Sequence, residues 1–315
     1  MNIYDTTPGH LMDTLRSLPD DGTPVTVRLA PGEYREKAVL SRPNTVLEGA
    51  GALQTRIVWD DGALTLLEDG QKRGTFRTAT LLVDGDDVTL RGLTVENAAA
   101  PREAAGQAVA LYVDAQRFVC EDCHLLGYQD TLFTAPLPPR EVEPNGFVGP
   151  KQFTPRARQR HAYRRCLIRG DVDFIFGGAD AWFEDCEIRS ADGRVNRDTP
   201  FVGFATAAST PQGQAFGYVF NRCRFTAEDL ADGTVYLGRP WREFARTVLL
   251  DCELGAHIHP DGFGEWGGRC AAGTVYYAEY QSRGPGARGP RAAFVRRLSD
   301  EQAREIRAHS PFGQR

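Results

Sequence analysis

One short phrase recurs along this chain: a polar residue, a cysteine, any residue, an apolar residue. It reads Asp122-Cys123-His124-Leu125, Arg165-Cys166-Leu167-Ile168, Asp185-Cys186-Glu187-Ile188, Arg222-Cys223-Arg224-Phe225 and Asp251-Cys252-Glu253-Leu254. The cysteines are 43, 20, 37 and 29 residues apart, and the segment 88–95 (VTLRGLTV) fits the same frame with Leu93 in the cysteine position. These intervals describe a rung of about 20 residues into which loops of unequal length are inserted. Each copy is a short alternating strand rich in Val, Ile, Leu, Phe and Thr. None leads into a helix able to cross over to a parallel neighbour. The regular two-residue hairpins of an antiparallel sandwich do not appear either. The pattern predicts an all-β fold, a parallel β-helix, with the cysteines stacked as an internal ladder where a small apolar side chain fits.

Length alone, 315 residues, would suggest two domains, but a solenoid grows as one unit, so a single domain over 1–315 is expected. At 41% hydrophobic the chain has ample material for a core. Two helices are predicted. Thr7 and Pro8 precede an apolar stripe of Leu11, Met12, Leu15 and Leu18, giving a helix over 8–18. Ser299-Asp300-Glu301-Gln302 is a capping box leading into a helix over 300–309. Placed at the two ends, they would cover the open edges of the coil. The segment 134–160, with six prolines, is an irregular excursion and a candidate groove wall.

The net charge of −5 argues against a nucleic-acid partner, which needs a basic face. Only three of the 37 basic residues are lysines, a bias that reads first as codon usage. No run of about 18 apolar residues exists, so no membrane span is expected. The first 19 residues carry Asp5, His10, Asp13 and Arg16 where a signal peptide needs an apolar core, which points to a cytoplasmic protein. Seven cysteines in apolar settings, with Cys120 and Cys123 the one close pair, read as reduced thiols.

Four segments place polar groups in otherwise buried strings: GQAVAL at 106–111, GYQDTL at 127–132, GDVDFIFG at 170–177 and LGRPW at 237–241. Equivalent positions of different rungs converge on one face of a solenoid, so these can meet. The chain has no Gly-x-Ser-x-Gly elbow, which argues against a serine triad. His257 and His259 alternate as two ligands would but lack a third, so neither metal nor cofactor is inferred. Two carboxylates and an arginine remain. Asp171 and Asp173 are two apart and share a strand face, leaving either as the reactive one. Gln129 might close an amide ladder, Arg239 a structural ion pair, and Trp241 the core.

These segments, in this order and with Gly32-Glu33-Tyr34-Arg35-Glu36 ahead of them, resemble the signature of the pectin methylesterases; GFATAAST at 203–210 and EYQSRGPGA at 279–287 extend the likeness. The resemblance implies a right-handed parallel β-helix that hydrolyses the C6 methyl ester of galacturonic acid residues in pectin. It makes Asp173 the nucleophile and Asp130 the general acid and later base, with Gln107 and Gln129 on the oxyanion. Arg239 would hold Asp173 ionised, while Asp130 keeps its proton more easily. Trp241, Phe176 and Tyr128 offer flat faces to sugar rings, with Val172 beside them. A thioesterase on the same scaffold and a non-catalytic carbohydrate-binding solenoid are the alternatives. The family's secretion signal and inhibitor-like pro-region are not seen. The insertion after Leu132 is long and ends in Arg156, Arg158, Arg160, Arg164 and Arg165, which are either solvated surface or contacts for free carboxylates of the substrate. A monomer acting on short imported methylated oligogalacturonides is expected.

Overall fold

A computed structural model describes residues 2–100, 102–193, 203–267 and 273–312. Among these residues the strands form three sheets of eleven, seven and eight members, and every strand pairing between them is parallel. The chain visits the sheets in turn and advances one strand per turn, which is the parallel β-helix that the repeat predicts.

The repeating phrase is the corner between the eleven-stranded and the eight-stranded sheet. Its polar residue takes a left-handed backbone at every rung: φ is +54° at Asp122, +52° at Arg165, +52° at Asp185, +54° at Arg222 and +53° at Asp251, with Gly92 at +60° in the copy that carries Leu93. That conformation turns the chain sharply, and Asp is among the residues that tolerate it best. The cysteine that follows points into the core, where all five are buried. Each thiol donates to the carbonyl two residues earlier, at 3.1 to 3.6 Å. Four also lie within reach of a carbonyl of the preceding rung. The ladder therefore selects cysteine for its weak donor as well as its size. Six described cysteines are free; Cys270 lies outside the described residues. Beside them Tyr163, Phe183 and Phe220 stack with centroids 4.7 and 4.5 Å apart.

Outside the same corner the left-handed residues alternate in charge. Arg165 binds Asp122 at 2.7 and 2.6 Å, Arg222 binds Asp185 at 2.9 Å twice, and Asp251 takes Arg307 from the C-terminal helix. The bias toward arginine has a use here, because a two-pronged guanidinium matches a carboxylate one rung away and an ammonium does not.

Both helices form, and both depart from expectation. The first spans Leu11–Ser17. It begins after Pro8, because its cap comes from elsewhere: the Glu36 carboxylate accepts from the amides of Gly9, Leu11 and Met12 at 2.9, 3.1 and 3.1 Å. The second, Asp300–Arg307, has the expected capping box. It does not cover an end. Ala303 and Ile306 pack on Trp182, Val219, Val248 and Ala278, on the outer face of the eleven-stranded sheet, so this helix lies along the flank of the coil. Among the described residues no helix is long and apolar enough to cross a membrane.

Candidate active site

The outer face of the seven-stranded sheet is the apolar one. Leu82, Tyr112, Phe133, Phe176, Ala207 and Arg239 stand in register on successive strands. The first five join Phe76, Leu137 and Phe147 in a cluster separate from the interior core, with Trp241 and Trp266 against it. A row of large side chains that ends in Ala207 and then an arginine leaves space above the alanine.

Arg239 reaches across that space. Its Nε donates to Oδ1 of Asp173 at 2.9 Å and its Nη2 to Oδ2 at 2.6 Å, a two-point contact suited to an ionised carboxylate. Asp173 is 5% exposed. Burial lifts its carboxyl above the ordinary carboxylate range, while Arg239 pulls in the opposite direction. The strand Val172–Gly177 is irregular here: Val172 pairs with Phe204 but Ile175 with Thr206, so one extra residue is accommodated. Asp173 sits in this bulge with φ +50°. The distortion turns Phe174 into the core and leaves Asp173 facing Arg239.

Asp130, on the preceding rung, also has a left-handed backbone, φ +66°, and its amide donates to the carbonyl of Val172 at 3.1 Å. It is 8% exposed. The carbonyl of Gln129 accepts from Ala108 and that of Gln107 from Ala63, which places half-buried Gln129 beside Asp130 and half-buried Gln107 one rung earlier along the same edge. These backbone bonds set Gln107, Gln129, Asp130 and Asp173 on adjoining rungs. The contacts of the two aspartates differ: Arg239 binds Asp173, whereas Asp171 accepts from the amide of Val172 at 2.6 Å.

A family model described as Pectinesterase matches residues 8–137 and 154–305. The chain belongs to the pectinesterase family. "Pectinesterase 31" of Arabidopsis thaliana is 33% identical over 309 residues, covering 95% of this chain and 87% of that protein. "Probable pectinesterase/pectinesterase inhibitor 64" of the same plant is 35% identical over 88% of this chain, which spans only 44% of that protein's length. Among solved structures, the pectin methylesterase from carrot superposes with a TM-score of 0.79 at 28% identity over 98% of this chain and 91% of that one. A pectin methylesterase in complex with a hexasaccharide superposes at 0.78 and 25% identity over 98% and 96%. The pectinesterase model skips 138–153, the middle of the proline-rich insertion.

That insertion folds over the edge of this pectinesterase site. Phe147 stands edge-on to Phe76 and Trp241, and Arg242 donates to the carbonyl of Arg140. Its arginines do not gather at the cleft. Arg156 donates to the carbonyls of Lys151, Gln152 and Thr154 in its own loop, and Arg158 to Gly213. Arg164 and Arg165 belong to the eleven-stranded sheet and its corner, paired with Glu121 and Asp122. Phe176 also departs from its expected place. At 3% exposed, it is floor beneath Trp241 rather than an open sugar platform. Trp241 is half-buried, with Arg242 over its ring, and Tyr128 carries Arg169 on one face, 4.6 Å from its centroid. Val172 is half-buried beside the bulge. Sequence reasoning missed Phe204 and Trp266, each 4.1 Å from the Arg239 guanidinium. Phe204 lies in GFATAAST, where the aromatic before the alternating small residues was its only signal.

Proposed function

We propose that the chain hydrolyses the C6 methyl esters of galacturonic acid residues in pectin or its oligosaccharides, releasing methanol. The observation that carries this reading is the Arg239–Asp173 pair, a buried carboxylate gripped on both oxygens beside an apolar face of the coil. In this mechanism Asp173 attacks the ester carbonyl carbon, and the electron pair of the C=O bond moves to oxygen. The amides of Gln107 and Gln129 donate to that oxyanion. Collapse breaks the bond to the methoxy oxygen, which takes the Asp130 proton and leaves as methanol. Asp130, now ionised, accepts a proton from water as the water attacks the acyl-enzyme anhydride. Asp173 and the galacturonate carboxylate are then released. No metal or cofactor is needed for any step. Trp241 supplies an apolar face for sugar, and Phe176 holds that ring from below.

Short methylated oligogalacturonides are the favoured substrates in this reading, because the insertion sets Phe147 and Arg140 against the Trp241–Arg242 end of the site. The decisive experiment measures methanol release from methylated pectin and from methylated trimers, with thiol release from acyl thioesters as the competing reaction. Methanol release abolished by Asp173→Asn in a folded protein supports the proposal. Preferential thioester cleavage, or methanol release untouched by Asp173→Asn, overturns it.

A further inference from the structure

Arg239 arises on the strand Val235–Pro240 and must cross the strand Gly203–Ala208 to meet Asp173. A side chain of that length has many rotamers to lose, so something must hold its plane. In register with Val172, the residue before Asp173, stand Phe204 and then Tyr236 on the next two strands. His259 follows from the adjoining loop, its amide bound to the carbonyl of Val235 at 2.7 Å. Phe204 stacks on Tyr236 at 5.2 Å and 17°, and Tyr236 on His259 at 4.2 Å and 24°. His259 is itself fixed: Nδ1 accepts from the amide of Asp261 at 3.2 Å, and Nε2 meets the Tyr236 hydroxyl at 3.3 Å. At the other end of this column the guanidinium of Arg239 lies between the rings of Phe204 and Trp266, 4.1 Å from each centroid. Its faces are covered by π-systems, and its edge is left for Asp173.

We infer that Phe204 and Trp266, backed by Tyr236 and His259, are positioning residues that fix the plane of the Arg239 guanidinium and so aim the Asp173 carboxylate. The inference rests on the reading of Asp173 as the nucleophile. Among the described residues, the ionisable groups near Asp173 include Arg239, Asp130 on the preceding rung, Asp171 two residues back, and the buried Tyr277, whose hydroxyl is pushed up by burial and then by the charge of Asp173. His259 and Asp261 stand at the far end of the column. The rings of Phe204 and Trp266 face the Arg239 guanidinium, so loosening the clamp weakens a favourable influence on the carboxylate.

The test compares Phe204→Leu, Phe204→Tyr and the more peripheral Trp266→Leu. The titration of the Asp173 carboxyl carbon is followed by NMR and assigned against Asp173→Asn, alongside kcat, KM and Tm. Phe204→Leu and Trp266→Leu are expected to raise the Asp173 titration midpoint and to lower kcat about tenfold, with KM little changed. Phe204→Tyr, which keeps the ring, should behave as the wild type. An Asp173 midpoint that stays put in both leucine variants overturns the inference, whatever happens to Tm. Because that readout needs no substrate, it stands apart from the function. A wild type that releases no methanol would defeat the esterase reading while leaving the clamp measurable.

Discussion

Two regions of this molecule use left-handed residues with opposite meanings. At the corner beneath the charged ladder they recur at every rung, φ staying between +52° and +54° from Asp122 to Asp251, and the sheets on either side keep their register. At the site Asp130 and Asp173 adopt similar angles, +66° and +50°, but Asp173 breaks the register of its strand. The corner uses the conformation as repeat geometry, compensated each time by an ion pair outside and a thiol bond inside. In the bulge it directs one carboxylate toward one arginine. An unusual backbone angle is thus informative where it departs from the repeat, and structural where it is the repeat.

Substitutions at the two regions should separate them. The largest effect is expected at the site. Asp173→Asn should lower turnover by a factor on the order of 10³ while Tm stays near the wild-type value, since the amide keeps size and one acceptor. In the wild type the acid limb of kcat/KM should fall above the usual carboxylate range, because burial raises the Asp173 pKa and Arg239 opposes it only in part. A limb in the ordinary range would break the link between burial and reactivity.

At the corner the expected losses are of stability alone. Cys223→Ala removes a donor from the carbonyls of Phe183 and Asn221 and leaves a small void, costing about 1–2 kcal/mol by denaturant titration with kcat unchanged. Asp185→Val forces a β-branched residue into the left-handed region, at about 1–2 kcal/mol, again with turnover intact. If either lowered kcat at full folding, the two regions would not be independent.

The smallest effect belongs to the exposed ladder. Arg165→Ala should cost about 0.5 kcal/mol near neutral pH, as expected for a solvated pair. Asp122 is held below the usual carboxylate range by its bonds to Arg165. Its folded pKa is thus lower than its unfolded one, so the stabilisation is present above about pH 4 and is lost as pH falls through the folded value. The difference in stability between wild type and Arg165→Ala should shrink along that descent; a difference that persists at low pH would remove the ladder from the account.

The coil was legible because repetition multiplies a weak local signal: one polar-Cys-x-apolar phrase means little, but five in frame fix a rung. The polar segments were legible through their resemblance to a known family. What escaped were contacts between segments that no local pattern couples. Glu36 caps a helix 25 residues upstream, so Pro8 gave the wrong start. Trp182, Val219 and Val248 face outward on three strands, and no local pattern marks them as the seat of Ile306. Phe204 and Trp266 belong to the site only because Arg239 crosses a strand to lie between them.

The flank position of the C-terminal helix has a mechanical consequence. Its apolar side bridges several rungs at once, and Arg307 ties it to the corner at Asp251. It therefore acts as a splint laid along the coil, resisting shear between rungs. Load applied at the C-terminus would first peel this splint from the sheet. It would then meet Val295–Arg297, the terminal strand of three residues, whose paired arginines make that edge a poor template for another chain. Only after both had let go would the coil unwind, one rung at a time.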